Sequence, residues 1–355
     1  MVMKIFNKKA GIMDAQFGWV FAFMIGVIIL SLFTAVAFQI RSSSQQRISY
    51  EILKTFRSVF TSGGTEVGRF FQLDLVNVIM DYSCVGGETS ISVEGFSEEI
   101  PLVVFSQENL IGNRFYIYST EWDVPFLSNS VVYLASENFY FYMVEPNETS
   151  SNYDSYRRAV ESIPSRFPFG IIEEGEEVNV PEEADTRVIV FEDIEEEYNS
   201  NLNGFFEDNF PNSVIEVSPD LSSGSFFGNL TYYDYGDYNN PISQEHYFGT
   251  PLLVGSFLSS SENYRCFFDE MVNDLENVLD LFKRRSERLV DYYNNADDYD
   301  CFYVYNKLIE KIEDYENLIN NFDYNYDSFK NWYDLYDGIF NMKNEADTKS
   351  CEVVY

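Results

Sequence analysis

An uncharged apolar run near the N-terminus constrains this chain more than any other feature. Residues 17–38 read FGWVFAFMIGVIILSLFTAVAF and contain no charged side chain. About 20 apolar residues cross the ~30 Å hydrocarbon core as a helix, and a helix satisfies its own backbone hydrogen bonds there. The run therefore predicts a transmembrane helix over residues 17–39, preceded by a basic N-terminal segment at residues 1–16.

The charge is divided unevenly along the sequence. Residues 1–57 carry seven basic and two acidic residues, whereas the rest of the 355-residue chain carries 16 basic and 56 acidic residues. Such an acidic surface excludes nucleic acid as a partner, because phosphate binding needs Lys and Arg. We expect membrane lipid around the apolar run, and other envelope proteins or further copies of the chain as partners. No motif in the sequence calls for a cofactor.

The four cysteines indicate an oxidising compartment. They are even in number, widely spaced and free of any CxxC pattern, which predicts two disulfides, with four buried thiols as the alternative. Cys301 and Cys351 should lie at one end of the C-terminal helices, and Cys266 at the other end, near Cys84. This placement favours the pairs Cys84–Cys266 and Cys301–Cys351.

The cysteines also bear on topology, since the basic residues on either side of the apolar run are nearly balanced. We predict a location at the cell membrane, with the N-terminus inside and the bulk of the chain extracellular. A cytoplasmic, membrane-tethered adaptor with reduced cysteines is the alternative. Two glycosylation sequons begin at Asn147 and Asn229.

The N-terminus resembles the class III signals of archaeal type IV pilin-like proteins. Lys8 and Lys9 precede Gly11, and the apolar run follows, with Gln16 where bacterial-type pilins usually have Glu. Because such signals are cut after a Gly between the basic and apolar parts, the resemblance implies processing at Lys9 and Gly11. An uncleaved signal anchor is the alternative.

The chain as a whole also resembles uncharacterised single-span archaeal surface proteins. No activity is implied by this resemblance. It is carried by the stretch Trp122-Asp123-Val124-Pro125-Phe126 and by the cysteine contexts Tyr82-Ser83-Cys84 and Tyr264-Arg265-Cys266.

Hydrophobic periodicity predicts an α+β fold after the membrane helix. A stalk helix should cover residues 40–61, because apolar residues recur there every four positions. A mixed α/β ectodomain follows at residues 62–260. Residues 261–345 show three amphipathic stretches, broken near 294–295 and 320–321, which predict an antiparallel three-helix bundle. Residues 346–355 form a C-terminal tail.

Within the ectodomain, short runs rich in Val, Ile, Phe and Tyr predict strands, and two segments predict helices. The expected strands are Ser90–Val93, Pro101–Ser106, Arg114–Thr120, Val131–Ala135, Phe139–Val144, Arg187–Phe191, Val214–Val217, Phe226–Tyr233 and Leu252–Phe257. The expected helices are residues 153–163 and Asp193–Phe210. The second helix would join two parallel strands in a β-α-β unit without a phosphate-binding loop.

Catalytic constellations are not apparent in the sequence. His246 is the single histidine, so a histidine-based zinc cluster cannot form, and no nucleophile motif accompanies it. We therefore predict no catalytic residue. Two oxygen-rich loops are weak candidates for Ca²⁺ binding, with solvated turns as the alternative; their carboxylates are Asp234, Asp237, Asp297, Asp298 and Asp300.

Three functions are compatible with these patterns. The first is a non-enzymatic, single-pass membrane-anchored cell-surface protein with a structural, adhesive or interaction role. The second is a pilin-like filament subunit that polymerises through residues 17–60. The third is a membrane-tethered extracellular hydrolase acting on polysaccharide or peptide, which would need a convergent carboxylate pair in a deep cleft.

Overall fold

The computed structural model describes residues 7–63, 67–86, 88–124, 126–173, 184–191, 211–224, 226–234, 236–237 and 240–352. This part of the chain contains six α-helices, one 3-10 helix and two six-stranded sheets, and therefore has an α+β fold. It divides into two compact units, residues 1–55 and residues 56–355. The predicted helix Asp193–Phe210 lies outside the described residues.

The N-terminal helix α1 runs without interruption from Asn7 to Gly63, and its apolar side chains between residues 23 and 36 are exposed. The predicted transmembrane helix over residues 17–39 is wrong: no helix in the described part of the chain is long and apolar enough to cross a membrane.

The first sheet is almost entirely antiparallel, with the strand order β3-β2-β1-β5-β6-β4 and one parallel pair, β4 with β6. Side chains alternate between buried and exposed along β2, as a sheet with one covered face requires. The strands are β1 (Phe70–Val85), β2 (Glu88–Val93), β3 (Phe96–Ile100), β4 (Val103–Ser106), β5 (Asn109–Asp123) and β6 (Leu127–Ser136).

The second sheet is mixed, with the order β12-β11-β10-β9-β7-β8. Strands β8, β7, β9 and β10 are parallel, and β11 and β12 are added antiparallel. The strands are β7 (Phe139–Val144), β8 (Phe169–Ile172), β9 (Asp185–Val190), β10 (Ser213–Pro219), β11 (Phe227–Asp234) and β12 (Ser243–Phe248). Helix α2 (Tyr153–Ser162) follows β7, close to the predicted bounds 153–163.

The predicted strand Leu252–Phe257 is instead part of a buried helix, α3 (Thr250–Leu258). Every residue from Leu252 to Leu258 is buried, and α3 contacts β4, β5, β6 and β12. A helix that is apolar on all sides belongs in a core. The strand prediction failed because periodicity does not distinguish a buried helix from a buried strand in a short, continuous apolar run. Pro251 in the first turn suits a helix start, since that position needs no N–H donor.

Three long helices form the C-terminal part, as the periodicity predicts. They are α4 (Ser261–Asn295), α5 (Tyr299–Asn320) and α6 (Tyr326–Thr348), and each packs on the next. The side chains of Ser260, Asp298 and Asn325 cap the three N-termini by accepting a backbone N–H. The helices and both sheets belong to the same compact unit, so residues 62–260 and 261–345 are parts of one body.

Aromatic packing joins the sheets to these helices. The Trp122 Nε1 donates to the Phe248 carbonyl oxygen at 3.0 Å, and the Trp332 ring lies 4.8 Å from the Phe248 ring. Phe105 lies 5.3 Å from Phe267 on α4. A cleft forms where the end of β1, strand β12 and the first turns of α4 meet.

Candidate functional site

The cleft lies beside the disulfide between Cys84 and Cys266 and has a volume of about 950 Å³. Its walls come from the end of β1, strand β12, the first three turns of α4, and the end of α5 with the turn that follows it. Clefts of several hundred cubic ångströms commonly hold small ligands or side chains of a partner. We refer to it below as the Cys84 cleft.

The spacing of the polar residues along β12 and along α4 places them on the faces of these two elements that line the Cys84 cleft. On β12, Ser243 and Glu245 are two residues apart and therefore point to the same face of the sheet. On α4, Glu262, Arg265 and Asp269 are separated by three and four residues, so they occupy one face of the helix. The disulfide ties this face of α4 to the end of β1.

Glu245 is the most deeply buried charged residue of the Cys84 cleft, with 8 % of its surface exposed. Burial raises its pKa to about 7; the neighbouring Arg265 opposes this shift, and Asp269 adds to it. The Arg265 Nη1 lies 3.7 Å from the Glu245 Oε2, which exceeds hydrogen-bond distance. Glu245 thus faces the cleft with oxygens that accept no hydrogen bond within the described part of the chain.

Arg265 is held by an aromatic ring rather than by hydrogen bonds to Glu245. Its guanidinium carbon lies 4.0 Å above the centre of the Tyr324 ring, which is a close cation–π contact. Burial raises the pKa of Asp269, and Arg265 again opposes the shift. The cleft therefore contains one cation and the carboxyl groups of Glu245, Asp269 and Glu262, so it is negative when these groups are ionised.

The remaining walls are largely apolar. Val272 and Ile319 are buried, and Phe322 is partly exposed. The Ser243 Oγ is a buried hydroxyl at the wall that finds no hydrogen-bond partner among the described residues. A buried hydroxyl without a partner is costly, so a polar ligand atom beside it would be stabilised.

A second, more acidic cleft of about 540 Å³ is lined by residues of β2 and β3 and by Glu270 of α4. It contains Glu270, whose pKa burial raises to about 7, while the hydrogen bond from the Thr89 Oγ1 at 3.1 Å opposes the shift. Arg57 forms an ion pair with Glu98 at its rim. This Glu270 cleft offers a matched control for experiments on Glu245.

The structure contains both disulfides expected from the cysteine spacing, and all four cysteines are paired. They join Cys84 to Cys266 and Cys301 to Cys351. The second bridge links the start of α5 to the residues after α6, because these two helices place those ends side by side.

The weak Ca²⁺ candidates do not assemble into a cation site. Asp237 accepts hydrogen bonds from Asn240, Asp298 caps α5, and Asp300 pairs with Lys349 at 3.7 Å; Asp234 and Asp297 lie in the same two loops. In the portion of the chain that the structure describes, no three His, Cys, Asp or Glu residues gather closely enough to hold a metal ion.

The remaining predicted residues fall in different settings. His246 packs at 4.5 Å against the Phe329 ring, and burial together with Arg265 lowers its pKa. Asn147 lies in an exposed turn, whereas Asn229 lies within β11 with its Oδ1 buried. Lys9 and Gly11 belong to α1, and processing at these residues stays a prediction.

No sequence motif marks Glu245, Arg265 or Asp269 as site residues. The helical spacing of Arg265 and Asp269 beside Cys266 was the available signal, because it places both charges next to a predicted disulfide. Comparison with protein-family models, with curated proteins and with solved structures finds no match. The site must therefore be interpreted from its own chemistry.

Proposed function

We propose that this chain is a non-enzymatic protein of the cell exterior with a structural, adhesive or other interaction role. The observation that supports this proposal is the pairing of all four cysteines in two disulfides. Disulfides persist in oxidising compartments and are rare where thioredoxin and glutathione reduce them. A surface rich in carboxylates keeps such a protein soluble and disfavours nucleic acid as a partner.

Packing of His246 also favours a role without catalysis. Its ring lies against Phe329, and its pKa is lowered by burial, so the imidazole is a neutral core residue near pH 7. The Cys84 cleft contains Glu245 and Asp269 together with a stacked arginine, an arrangement suited to binding a charged group.

The test is the intact mass of the protein from its native source, with and without reduction, combined with protease treatment of whole cells. We expect a mass gain of two hydrogens per disulfide on reduction, and cleavage of the protein by protease added outside. Free thiols, or protection of residues 56–355 from external protease, would contradict the proposal.

A second candidate is a filament subunit that associates through α1, and it rests on two observations. Helix α1 is continuous over 57 residues, roughly 85 Å at 1.5 Å per residue. Leu30 and Phe33 on α1 are 71 % and 72 % exposed. Large exposed apolar surfaces normally mark an interaction site. In this arrangement, copies of the chain cover each other's apolar side chains.

The filament candidate predicts that Leu30→Glu abolishes self-association, measured by light scattering and electron microscopy. Leu281→Glu is the matched control, because Leu281 is 65 % exposed on α4 and should tolerate the charge without effect. Equal assembly of both variants, or binding of the protein to lipid vesicles with no contact between copies, would reject this candidate. The same intact-mass experiment reveals whether the first 11 residues are removed.

A further inference from the structure

The Cys84 cleft has a chemical character that suggests its ligand. It is built around Glu245, a carboxylate with 8 % exposure that accepts no hydrogen bond within the described chain. A carboxylate this deeply placed is normally hydrogen-bonded, because removal from water is costly. Its ion-pair partner, Arg265, lies 3.7 Å away and is stacked on Tyr324 at 4.0 Å, so the hydrogen-bond capacity of the Glu245 oxygens remains unfilled.

We infer that the Cys84 cleft binds an alkylammonium group, with the nitrogen paired to Glu245 and the carbon chain along the apolar wall. An ammonium group supplies up to three N–H donors, which the Glu245 oxygens can accept. The carbon chain would contact Val272, Ile319 and Phe322. This inference rests on the proposed interaction role and specifies the chemistry that the protein recognises.

Other ligand classes suit the cleft less well. An anion would meet three carboxyl groups for one arginine, so its binding would be opposed by charge. Divalent cations prefer six or more oxygen ligands, and within the described residues no three acidic or histidine groups are close enough to hold a metal. A neutral apolar ligand would leave Glu245 and Ser243 without partners.

The alkylammonium group has two possible sources, a lysine side chain of a partner protein or a free aliphatic amine. Calorimetric titration of the full-length protein at pH 8 with two probes separates them. Nα-acetyl-lysine N-methylamide represents a protein-borne lysine, and 1-aminopentane represents a free amine. Nα-acetyl-norleucine N-methylamide and 1-pentanol are the matched neutral compounds.

We expect at least one amine probe to bind at least tenfold more tightly than its neutral counterpart. Stronger binding of the lysine probe would identify a protein partner, and stronger binding of 1-aminopentane would identify a small amine. Binding of neither amine above its neutral counterpart would overturn the inference.

Variants place the binding at the cleft. Glu245→Gln should weaken amine binding at least tenfold, because it removes the charge while keeping the shape of the side chain. Glu270→Gln removes a half-buried carboxyl group of similar pKa from the other cleft and should leave binding unchanged. Equal effects of the two substitutions, with both variants folded by circular dichroism, would overturn the assignment.

Failure of this inference can be distinguished from failure of the proposed function. Paired cysteines and external protease sensitivity, together with no amine binding, would remove the ligand and retain the location. Amine binding by a protein with free thiols would retain the site and remove the extracellular role.

Discussion

A partly buried arginine on β9 provides the sharpest test of how the fold is held together. The Arg187 Nη1 donates to the carbonyl oxygens of Phe257 at 3.1 Å and Ser259 at 2.7 Å, with Ser256 at 3.4 Å. Its Nε donates to the Ser213 Oγ at 3.0 Å. Arg187 thus supplies donors to the C-terminal turn of α3, whose last carbonyls have no partner within the helix.

The substitution Arg187→Met keeps much of the side-chain volume and removes every one of these donors. A hydrogen bond to a charged group contributes about 1.5–3 kcal/mol, so the two shorter bonds to carbonyls represent about 3–6 kcal/mol. The guanidinium is also desolvated in the folded protein, and burial lowers its pKa. Relief of that desolvation offsets part of the loss, which leaves a net destabilisation of about 2–4 kcal/mol.

The measurement is urea unfolding at neutral pH, followed by tryptophan fluorescence, with the disulfides intact. Arg157→Met is the matched control, because Arg157 is 59 % exposed on α2 and forms only long surface ion pairs of 3.8 Å. That control should change the free energy of unfolding by less than about 1 kcal/mol. Equal stabilities of the Arg187→Met variant and the wild type would show that the buried donors do not stabilise α3.

Four further outcomes follow from other parts of the structure. Gly255→Ala should destabilise the protein by about 1–3 kcal/mol in the same assay, since its new Cβ would lie 2.6 Å from the Phe105 ring. Gly338→Ala, where the nearest atom is 3.6 Å away, should stabilise α6 by about 0.5–1 kcal/mol. Because the pKa of Glu245 is higher in the folded chain than in the unfolded chain, its ionisation should cost stability as pH rises from 4.5 to 7. Glu245→Gln should remove this contribution, so that the stability of the variant falls less, or rises more, over the same range than that of the wild type; an unchanged pH dependence would refute the assignment. In a glycosylating host, peptide mapping should find a glycan on Asn147 and none on Asn229, whose Oδ1 is buried in β11.

The direction of the pH effect depends on which groups surround Glu245. Arg265 favours the ionised form, while Asp269 and burial favour the protonated form, and the net effect is a raised pKa. At Glu245 the folded protein therefore binds more protons than the unfolded chain between pH 4.5 and 7, whereas His246, whose pKa is lowered, contributes in the opposite direction. Glu270 titrates in the same range, so Glu245→Gln should reduce the slope without abolishing it.

Local patterns in the sequence were sufficient for the elements that depend on neighbours in the chain. The apolar residues of α4, α5 and α6 recur every three or four positions, and that period determines which face of each helix is buried. Short connections make neighbouring helices antiparallel, so the start of α5, with Cys301, and the end of α6, near Cys351, lie at the same end of the three helices. Strands such as β7 and β9 were likewise visible as short runs of β-branched and aromatic residues.

The transmembrane prediction shows the limit of a composition argument. An uncharged run predicts a span from its length alone, whereas no helix within the described residues is long and apolar enough to cross a membrane. The same limit applies to α3, whose apolar run has no period that separates a helix from a buried strand.

The sequence by itself determined the α+β class after residue 62, the three C-terminal helices and the expectation of disulfides, because each depends on residues close together in the chain or on composition. Only the tertiary structure decided that α3 is a central helix, that Arg187 supplies donors to its end, and that Glu245 meets Arg265 in one cleft. These contacts join segments far apart in sequence, and their partners are selected by the packing of the two sheets against α3 and α4. No periodicity within a single segment carries that information.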